Sequence, residues 1–224
     1  MDSIIPNIVE TEDGSHTVWS EKYQVTYHSR YGAVQESQHV FIDAGLRWKA
    51  AIQQQISILE VGMGTGLNVF MTHLEAKRRN LTINYTALEA YPIALEKINS
   101  FNFVTILKAK EDEAIFQKIH RCDWGKKQKL GTDFRFIKIL DKVENWSSPP
   151  QFDLIYFDAF APDSQPELWQ DDTLQKMYDS LLPDGILVTY CAKGDVKRTL
   201  KRVGFSLESI PGPPRKREMT RASR

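Results

Sequence analysis

The stretch ISILEVGMGTG, residues 56–66, decides the fold of this chain. Ile56 to Val61 is apolar nearly throughout, which is typical of a central strand of a parallel sheet that is buried on both faces. Three glycines follow at alternate positions, and Leu67 to Lys77 has a helical composition without a breaker. Because glycines let the backbone approach a ligand and a helix N-terminus offers unpaired N–H groups, strand, turn and helix together predict a nucleotide site. A plain tight turn between strand and helix has the same local pattern and stays an alternative.

The spacing of the glycines distinguishes a dinucleotide-binding site from a site for another nucleotide-like ligand. A dinucleotide fingerprint, G-x-G-x-x-G, requires a glycine where this chain has Leu67. The pattern G-x-G-x-G after an acidic residue, as in Glu60 with Gly62, Gly64 and Gly66, is instead typical of methyltransferases that use S-adenosyl-L-methionine (SAM). We therefore predict that these four residues bind SAM.

Length and composition favour a single enzyme domain. A chain of 224 residues with 42% apolar and 11% aromatic residues can form one core. We expect an N-terminal extension over residues 1–50 and a methyltransferase domain over residues 51–224. The sequence has no apolar run of membrane-spanning length and no leader pattern, and Cys122 and Cys191 have no C-x-x-C partner. These features predict a cytoplasmic protein.

Strand and helix patterns alternate along the chain. Asp13-Gly14 predicts a hairpin near the N-terminus. After residues 56–66, strands are predicted at 83–88, 134–140, 152–157 and 186–190, helices at 92–99, 111–120, 173–182 and 195–203, and a terminal hairpin near residues 205–219. Such alternation predicts an α/β fold with a mostly parallel sheet and helices on both faces, here with an N-terminal β-hairpin extension.

Acidic residues follow three of the predicted strands. Glu89, Asp141 and Asp158 stand where the carboxyl ends of parallel strands form a ligand crevice. We predict that Glu89 accepts both ribose hydroxyls and that Asp141 accepts from the adenine amino group, so that both bind the cofactor together with Asp158. Each acid could instead cap a helix or a turn.

Asp158 opens the segment DAFAP, residues 158–162, and Phe160 and Pro162 are predicted to shape a substrate pocket beside it. Methyl transfer mainly requires that the nucleophile be positioned. If that nucleophile is an amine, it must lose a proton, and a partly desolvated Asp158 could orient the amine and assist the removal. Asp158 is therefore the predicted catalytic residue, with a capping role as the alternative. The five histidines have no metal-ligand spacing, and we predict no metal site.

The net charge of the chain is zero, but positive and negative charges are unevenly distributed along it. Residues 193–224 contain ten Lys or Arg and three Asp or Glu, a net charge of +7 against −7 for the rest. This basic end predicts that a polyanion docks there, although a solvated surface would have the same composition. The candidate phosphate contacts are Lys193, Lys197, Arg198, Lys201, Arg202, Arg215, Lys216 and Arg217.

Several segments together resemble a known family. They are residues 11–15, 27–29, 36–42, 45–46, 60–68, 157–162, 166–169, 189–194 and 216–219. The chain resembles the methyltransferase component of the MnmC family, tRNA (5-methylaminomethyl-2-thiouridine) methyltransferase, in its stand-alone MnmD-like form without the FAD oxidoreductase domain. The resemblance covers nearly the whole chain, except residues 102–133, whose role it leaves open.

The resemblance implies a class I SAM-dependent, Rossmann-like fold whose last strand is antiparallel. It also implies SAM-dependent N-methylation of the 5-aminomethyl group of wobble (thio)uridine in tRNA, with Asp158 as the catalytic carboxylate and Glu36 as a pocket residue. The partners would be tRNA and the enzymes that install the aminomethyl group. The family often has a lysine where Ser164 stands, which puts one substrate contact in doubt.

Two other functions remain open at this point. A spermidine synthase-like aminopropyltransferase has a similar sheet and similar acidic strand ends, but it would not need a basic C-terminal face. A non-catalytic RNA-binding module on a methyltransferase fold would not need Gly62, Gly64, Gly66, Glu89 and Asp158 to be intact.

Overall fold

The computed structural model describes residues 7–224, and residues 1–6 of the predicted extension lie outside the described part. It contains an eight-stranded sheet with helices on both faces and a separate three-stranded sheet near the N-terminus. The strands are β1 (Ile8–Glu10), β2 (His16–Ser20), β3 (Val25–Thr26), β4 (Gln55–Val61), β5 (Thr82–Glu89), β6 (Gln128–Lys129), β7 (Phe134–Leu140), β8 (Phe152–Phe157), β9 (Leu181–Thr189), β10 (Ser206–Pro211) and β11 (Glu218–Ser223).

Helices connect most of these strands. They are α1 (Ala33–Ser37), α2 (Trp48–Ala50), α3 (Leu67–Arg79), α4 (Leu95–Ile98), α5 (Phe103–Ile106), α6 (Glu113–Arg121), α7 (Asp171–Ser180) and α8 (Gly194–Arg202), with a π-helical segment at Gln38–Arg47 and short 3-10 turns at Lys110–Asp112 and Pro166–Trp169. Among residues 7–224, no helix has both the length and the apolarity to cross a membrane.

The large sheet is mostly parallel. Its strand order is β10-β11-β9-β8-β4-β5-β7-β6. The five central strands, β9, β8, β4, β5 and β7, run parallel to one another. The edge strand β6 pairs antiparallel with β7, and β11 pairs antiparallel with both β9 and β10. The predicted mostly parallel α/β sheet and its antiparallel last strand are therefore confirmed.

The core lies on both faces of the central strand β4. Ile56 and Ile58 belong to one buried cluster, whereas Leu59 and Val61 belong to the cluster on the opposite face. This follows from the period of two in a strand. The fully buried Glu60 therefore points to the same face as Ile58.

The N-terminal residues are built into the domain. The predicted hairpin forms, since β1 and β2 pair antiparallel around residues 11–15. The π-helical segment Gln38–Arg47 packs against β8, β9 and α3, and its Val40, Phe41, Ile42 and Leu46 are fully buried. Residues 38–47 of the predicted extension thus help to form the core of the large sheet.

Two predicted boundaries are wrong. The helix predicted from Pro92 begins only at Leu95, because the Glu89 carboxylate accepts the Tyr91 N–H and holds the preceding residues in a turn. The helix predicted to reach Leu182 ends at Ser180, and Leu181 already pairs with Phe152 of β8. Residues 183–185, which lie between the predicted helix and the predicted strand at 186–190, form a bulge inside β9, since Leu154 pairs with Ile186.

Candidate active site

The carboxyl ends of the central parallel strands open into one cleft, which we call the strand-end cleft. The glycine turn, Glu89, Asp141 and Asp158 all contribute to its wall. The lining residues are Tyr23, Tyr27, His28, Gly62, Met63, Gly64, Thr65, Leu88, Glu89, Ala90, Tyr91, Asp141, Lys142, Val143, Glu144, Asp158, Ala159, Phe160, Gln165, Glu167 and Leu168. The cleft runs across four adjacent strands, β8, β4, β5 and β7, which is about 14 Å at the usual strand spacing.

The glycine turn is held by contacts that exclude side chains at two of its positions. Gly62 has φ 88°, and a Cβ there would lie 2.7 Å from the Asp158 carbonyl oxygen. Gly66 has φ 71°, and a Cβ there would lie 2.7 Å from the buried His120 ring. Gly66 therefore faces His120, whereas Gly62 and Gly64 line the cleft.

Buried histidines support the turn from both sides. His28 Nε2 lies 2.7 Å from the Thr65 hydroxyl, and burial lowers the pKa of His28 to about 4. Burial also lowers the pKa of His120 to about 3. Both rings are neutral at pH 7, so they can pack against backbone without an uncompensated buried charge.

Glu89 connects β5 to the glycine turn. Its Oε2 accepts the Gly64 N–H at 2.8 Å, and its Oε1 accepts the Tyr91 N–H at 2.7 Å. Burial raises the pKa of this carboxyl, and the two backbone donors oppose that rise. The carboxylate thus stays in a fixed orientation on the cleft wall.

Asp141 lies on the cleft wall after β7. Its Oδ1 accepts the Lys142 N–H at 2.7 Å and the Asn145 side-chain amide at 3.1 Å. The predicted turn role and the predicted place in the cleft therefore both apply to this residue.

Glu60 does not line the cleft. Its side chain is fully buried below the glycine turn, and within residues 7–224 neither carboxylate oxygen has a hydrogen-bond partner. Burial raises the pKa of Glu60 well above its usual range, because a buried site favours the neutral carboxylic acid over the charged carboxylate. Glu60, one of the predicted SAM-binding residues, thus lies on the buried face of β4 that it shares with Ile58 and is not among the lining residues of the cleft.

Asp158 is partly buried at the base of the cleft. Asn68 Nδ2, at the start of α3, donates to its Oδ2 at 2.8 Å. Desolvation and the negative charge of Glu36 raise the pKa of Asp158 to about 7, against the opposing effects of Asn68 and Lys216. A carboxyl with this pKa can accept and release a proton near neutral pH.

Residues from both ends of the chain surround Asp158. Lys216, in the loop between β10 and β11, lies 2.9 Å from Glu36 of α1 and 3.9 Å from the centre of the Tyr190 ring. The other Glu36 oxygen accepts the Ser29 N–H at 2.9 Å. The Tyr190 hydroxyl donates to the Ala159 carbonyl at 2.8 Å. We call Glu36, Asp158, Tyr190 and Lys216 the Asp158 cluster.

Only one of the two DAFAP residues that were predicted to shape a substrate pocket lines the cleft. Phe160 lines the cleft and packs against Tyr23 and Tyr27, with ring centroids 4.6 and 5.0 Å apart. Pro162 lies outside the cleft lining. The missed Tyr23 and Tyr27 come from the N-terminal region, which covers this side of the cleft.

Most of the predicted phosphate contacts are engaged within the protein. Lys216 is the clearest case, since it pairs with Glu36 inside the Asp158 cluster. Other pairs join Lys193 to Asp163, Lys197 to Glu218, Arg198 to Asp195, Arg202 to Asp171 and, at 3.9 Å, Arg215 to Glu12. Because these acids neutralise nearby cations, the C-terminal region is less basic in space than its composition predicts.

Besides Tyr23 and Tyr27, residue-by-residue reasoning missed the site residues Asn68 and Tyr190. Asn68 is the second residue of α3, just after the glycine turn, but its role depends on a contact with Asp158, which is ninety residues away along the chain. Both residues stand in segments that resemble the family, and that resemblance was the one available signal.

Comparison with known proteins places the chain in a family. A family model described as S-adenosyl-L-methionine-dependent methyltransferase matches residues 107–224. The chain belongs to this family. The expected enzyme class and the expected SAM cofactor are thereby confirmed.

Similar proteins agree with the resemblance seen in the sequence. The tRNA 5-methylaminomethyl-2-thiouridine biosynthesis bifunctional protein MnmC of Leptospira interrogans is 32% identical over 213 residues, which are 89% of this chain and 32% of that protein. The protein of the same name from Burkholderia thailandensis is 29% identical over 236 residues, 97% of this chain and 35% of that protein. The chain thus spans about a third of the length of these curated relatives.

A solved structure has the same fold. The crystal structure of MNMC2 from Aquifex aeolicus superposes with a TM-score of 0.80 at 24% identity, over 97% of this chain and 69% of that one. The class I methyltransferase fold is therefore confirmed.

Proposed function

We propose that this enzyme methylates the exocyclic amine of 5-aminomethyl(-2-thio)uridine at the wobble position of tRNA, with SAM as the donor. The observation that carries the proposal is Asp158: a carboxyl with a pKa near 7 lies at the junction of the strand-end cleft and the Asp158 cluster. The names of the relatives, which specify tRNA and this modified uridine, support the substrate.

The strand-end cleft fits SAM. Gly62 and Gly64 would lie beside the amino-acid part of SAM. Glu89 would accept hydrogen bonds from the ribose hydroxyls, and Asp141 would accept one from the adenine amino group. When bound there, SAM supplies a methyl group that passes to the amine nitrogen as its bond to sulfur breaks. The extended shape of the cleft, across four strand ends, matches an extended nucleoside better than a compact ligand.

The substrate amine binds at the Asp158 cluster and loses its proton there. An alkylammonium has no free lone pair, so it must lose a proton before its nitrogen can form a bond to carbon. Asp158 accepts that proton, and the amide of Asn68 holds the receiving carboxylate in place. The Lys216 ammonium lies 3.9 Å from the centre of the Tyr190 ring, and this contact supports a cation-binding ring face beside these carboxylates.

The direct test is SAM-dependent methylation of tRNA from cells that lack this protein. Nucleoside analysis of the product should show that 5-aminomethyl(-2-thio)uridine disappears and its N-methyl form appears. Transfer RNA already methylated at this position is the control and should take up no further methyl group. If the aminomethyl nucleoside survives full incubation with SAM and active protein, the proposed substrate is wrong.

A further inference from the structure

An exposed aromatic ring and an arginine lie close together beside the Asp158 cluster. The Arg215 guanidinium lies 5.1 Å from the centre of the Tyr31 ring. Tyr31 is 43% exposed, and the Arg215 side chain is 67% exposed. Both side chains are thus exposed to solvent, and we call the pair the Tyr31 platform.

The backbone that carries Tyr31 is tightly held. The Tyr31 N–H donates to the Ser29 hydroxyl at 3.2 Å, and the Arg30 carbonyl accepts the Glu12 N–H at 2.9 Å. Next along the chain, Gly32 has φ 151°, and a Cβ there would lie 2.5 Å from Asp13 Oδ2. The backbone at Tyr31 is thus held at a defined position, which reduces the entropy lost when a ligand binds the loop.

The platform adjoins the Asp158 cluster through both of its members. On one side, Tyr31 is two residues from Ser29, whose N–H donates to Glu36. On the other side, Arg215 directly precedes Lys216, which pairs with Glu36 at 2.9 Å. A ligand part that stacks on the platform would therefore lie beside the group that occupies the Asp158 cluster.

From this geometry we infer that the Tyr31 platform stacks a nucleobase next to the target uridine in single-stranded RNA. Proteins read unpaired RNA mainly by stacking splayed bases on aromatic rings and guanidinium planes. Arg30 and Arg217 are exposed and are close in sequence to Tyr31 and Arg215, and their positive charges favour a polyanion over a neutral partner. This inference rests on the proposed function, because it places the target base at Asp158.

The test uses the whole protein and synthetic anticodon stem-loops. Each RNA has 5-aminomethyluridine at the target position and fluorescent 2-aminopurine at the adjacent position. We expect the wild-type protein to quench the 2-aminopurine on binding. Loss of one stacked base should raise the KM for the RNA roughly 10- to 100-fold in Tyr31→Ala, with kcat little changed because Tyr31 contacts no reacting atom.

Two further variants make the comparison specific. Tyr31→Phe keeps the ring and should retain both the quenching and the KM. Trp48 is the matched control, since it is 39% exposed and also lies under an arginine, Arg221, at 4.8 Å. It stands beside Lys49, whose ammonium donates to Asp184 at the opposite end of β9, so Trp48→Ala should leave the KM unchanged.

The outcomes separate the two claims. If the wild-type protein methylates the stem-loops but Tyr31→Ala has an unchanged KM and unchanged quenching, the platform is overturned and the proposed function stands. An equal rise in KM for Trp48→Ala would also overturn it, because the effect would not be specific to this face. If the wild-type protein neither binds nor methylates any stem-loop or tRNA, the proposed function fails, and the platform with it.

Discussion

The strand-end cleft and the Asp158 cluster are assembled in different ways. Gly62, Glu89 and Asp141 each stand at the carboxyl end of a parallel strand, so the topology of the sheet alone brings them to one edge. In the Asp158 cluster, Glu36 and Lys216 are 180 residues apart and meet only because both chain ends fold over the same strand end. The part of the site assigned to the cofactor thus belongs to the common sheet, whereas the part assigned to the substrate belongs to elements added around it.

If this division is correct, variants in the two regions should affect different measurements. The largest effect is expected at Asp158, where the two regions meet. Asp158→Asn should lower the rate of methyl transfer on the order of 10²- to 10⁴-fold, because the amide cannot accept the proton of the amine. Single-turnover assays with aminomethyl tRNA would measure this rate.

Calorimetric titration of the same variant with SAM is the control for Asp158. The dissociation constant should stay within about threefold of the wild-type value, since most cleft residues are untouched. A full rate of methyl transfer in Asp158→Asn would remove this residue from the mechanism.

The next largest effect is expected at Glu89. Glu89→Gln replaces charge-assisted contacts by neutral ones, so we expect SAM affinity to fall roughly 10- to 100-fold. RNA affinity, measured by filter binding, should not change. Glu96→Gln, at an exposed position of α4, is the matched control, and a similar loss of SAM affinity there would show that the effect is not specific to the cleft.

Glu60 should give the smallest effect. Burial favours the neutral form of its carboxyl, and an amide has nearly the same shape, so Glu60→Gln should change the free energy of unfolding by less than about 1 kcal/mol. The SAM dissociation constant should change little as well. A large loss of SAM affinity in this variant would mean that Glu60 is ionised and acts on the cofactor after all.

The sheet could be predicted because its strands have strong local signals. The apolar runs at 134–140 and 152–157 correspond to β7 and β8 with the same bounds. The predicted helix at 92–99 is wrong in its first turn because a tertiary contact, Glu89 with the Tyr91 N–H, overrides the local preference for Pro92 at a helix start.

The sequence predicted the position of a site residue only where that residue stands at the carboxyl end of a strand. Asp158 and Glu89 lie on the cleft as the strand ends indicated, but Glu60 does not. Both faces of β4 are buried, so hydrophobicity cannot tell which face residue 60 takes. The pairing of Lys216 with Glu36 depends on a loop that reaches across the sheet, and its basic composition suggested a phosphate contact instead.

The pH dependence of kcat/KM tests the central claim most directly, because it reports the charges that act on Asp158. In the wild-type protein, the rate should rise with pH through about 7, as the carboxyl loses its proton. Glu36→Gln removes a negative neighbour and should move this rise to lower pH, whereas Lys216→Met removes a positive neighbour and should move it to higher pH. Opposite shifts would confirm that both ends of the chain tune one catalytic carboxyl, and a rise at the same pH in all three proteins would contradict the account.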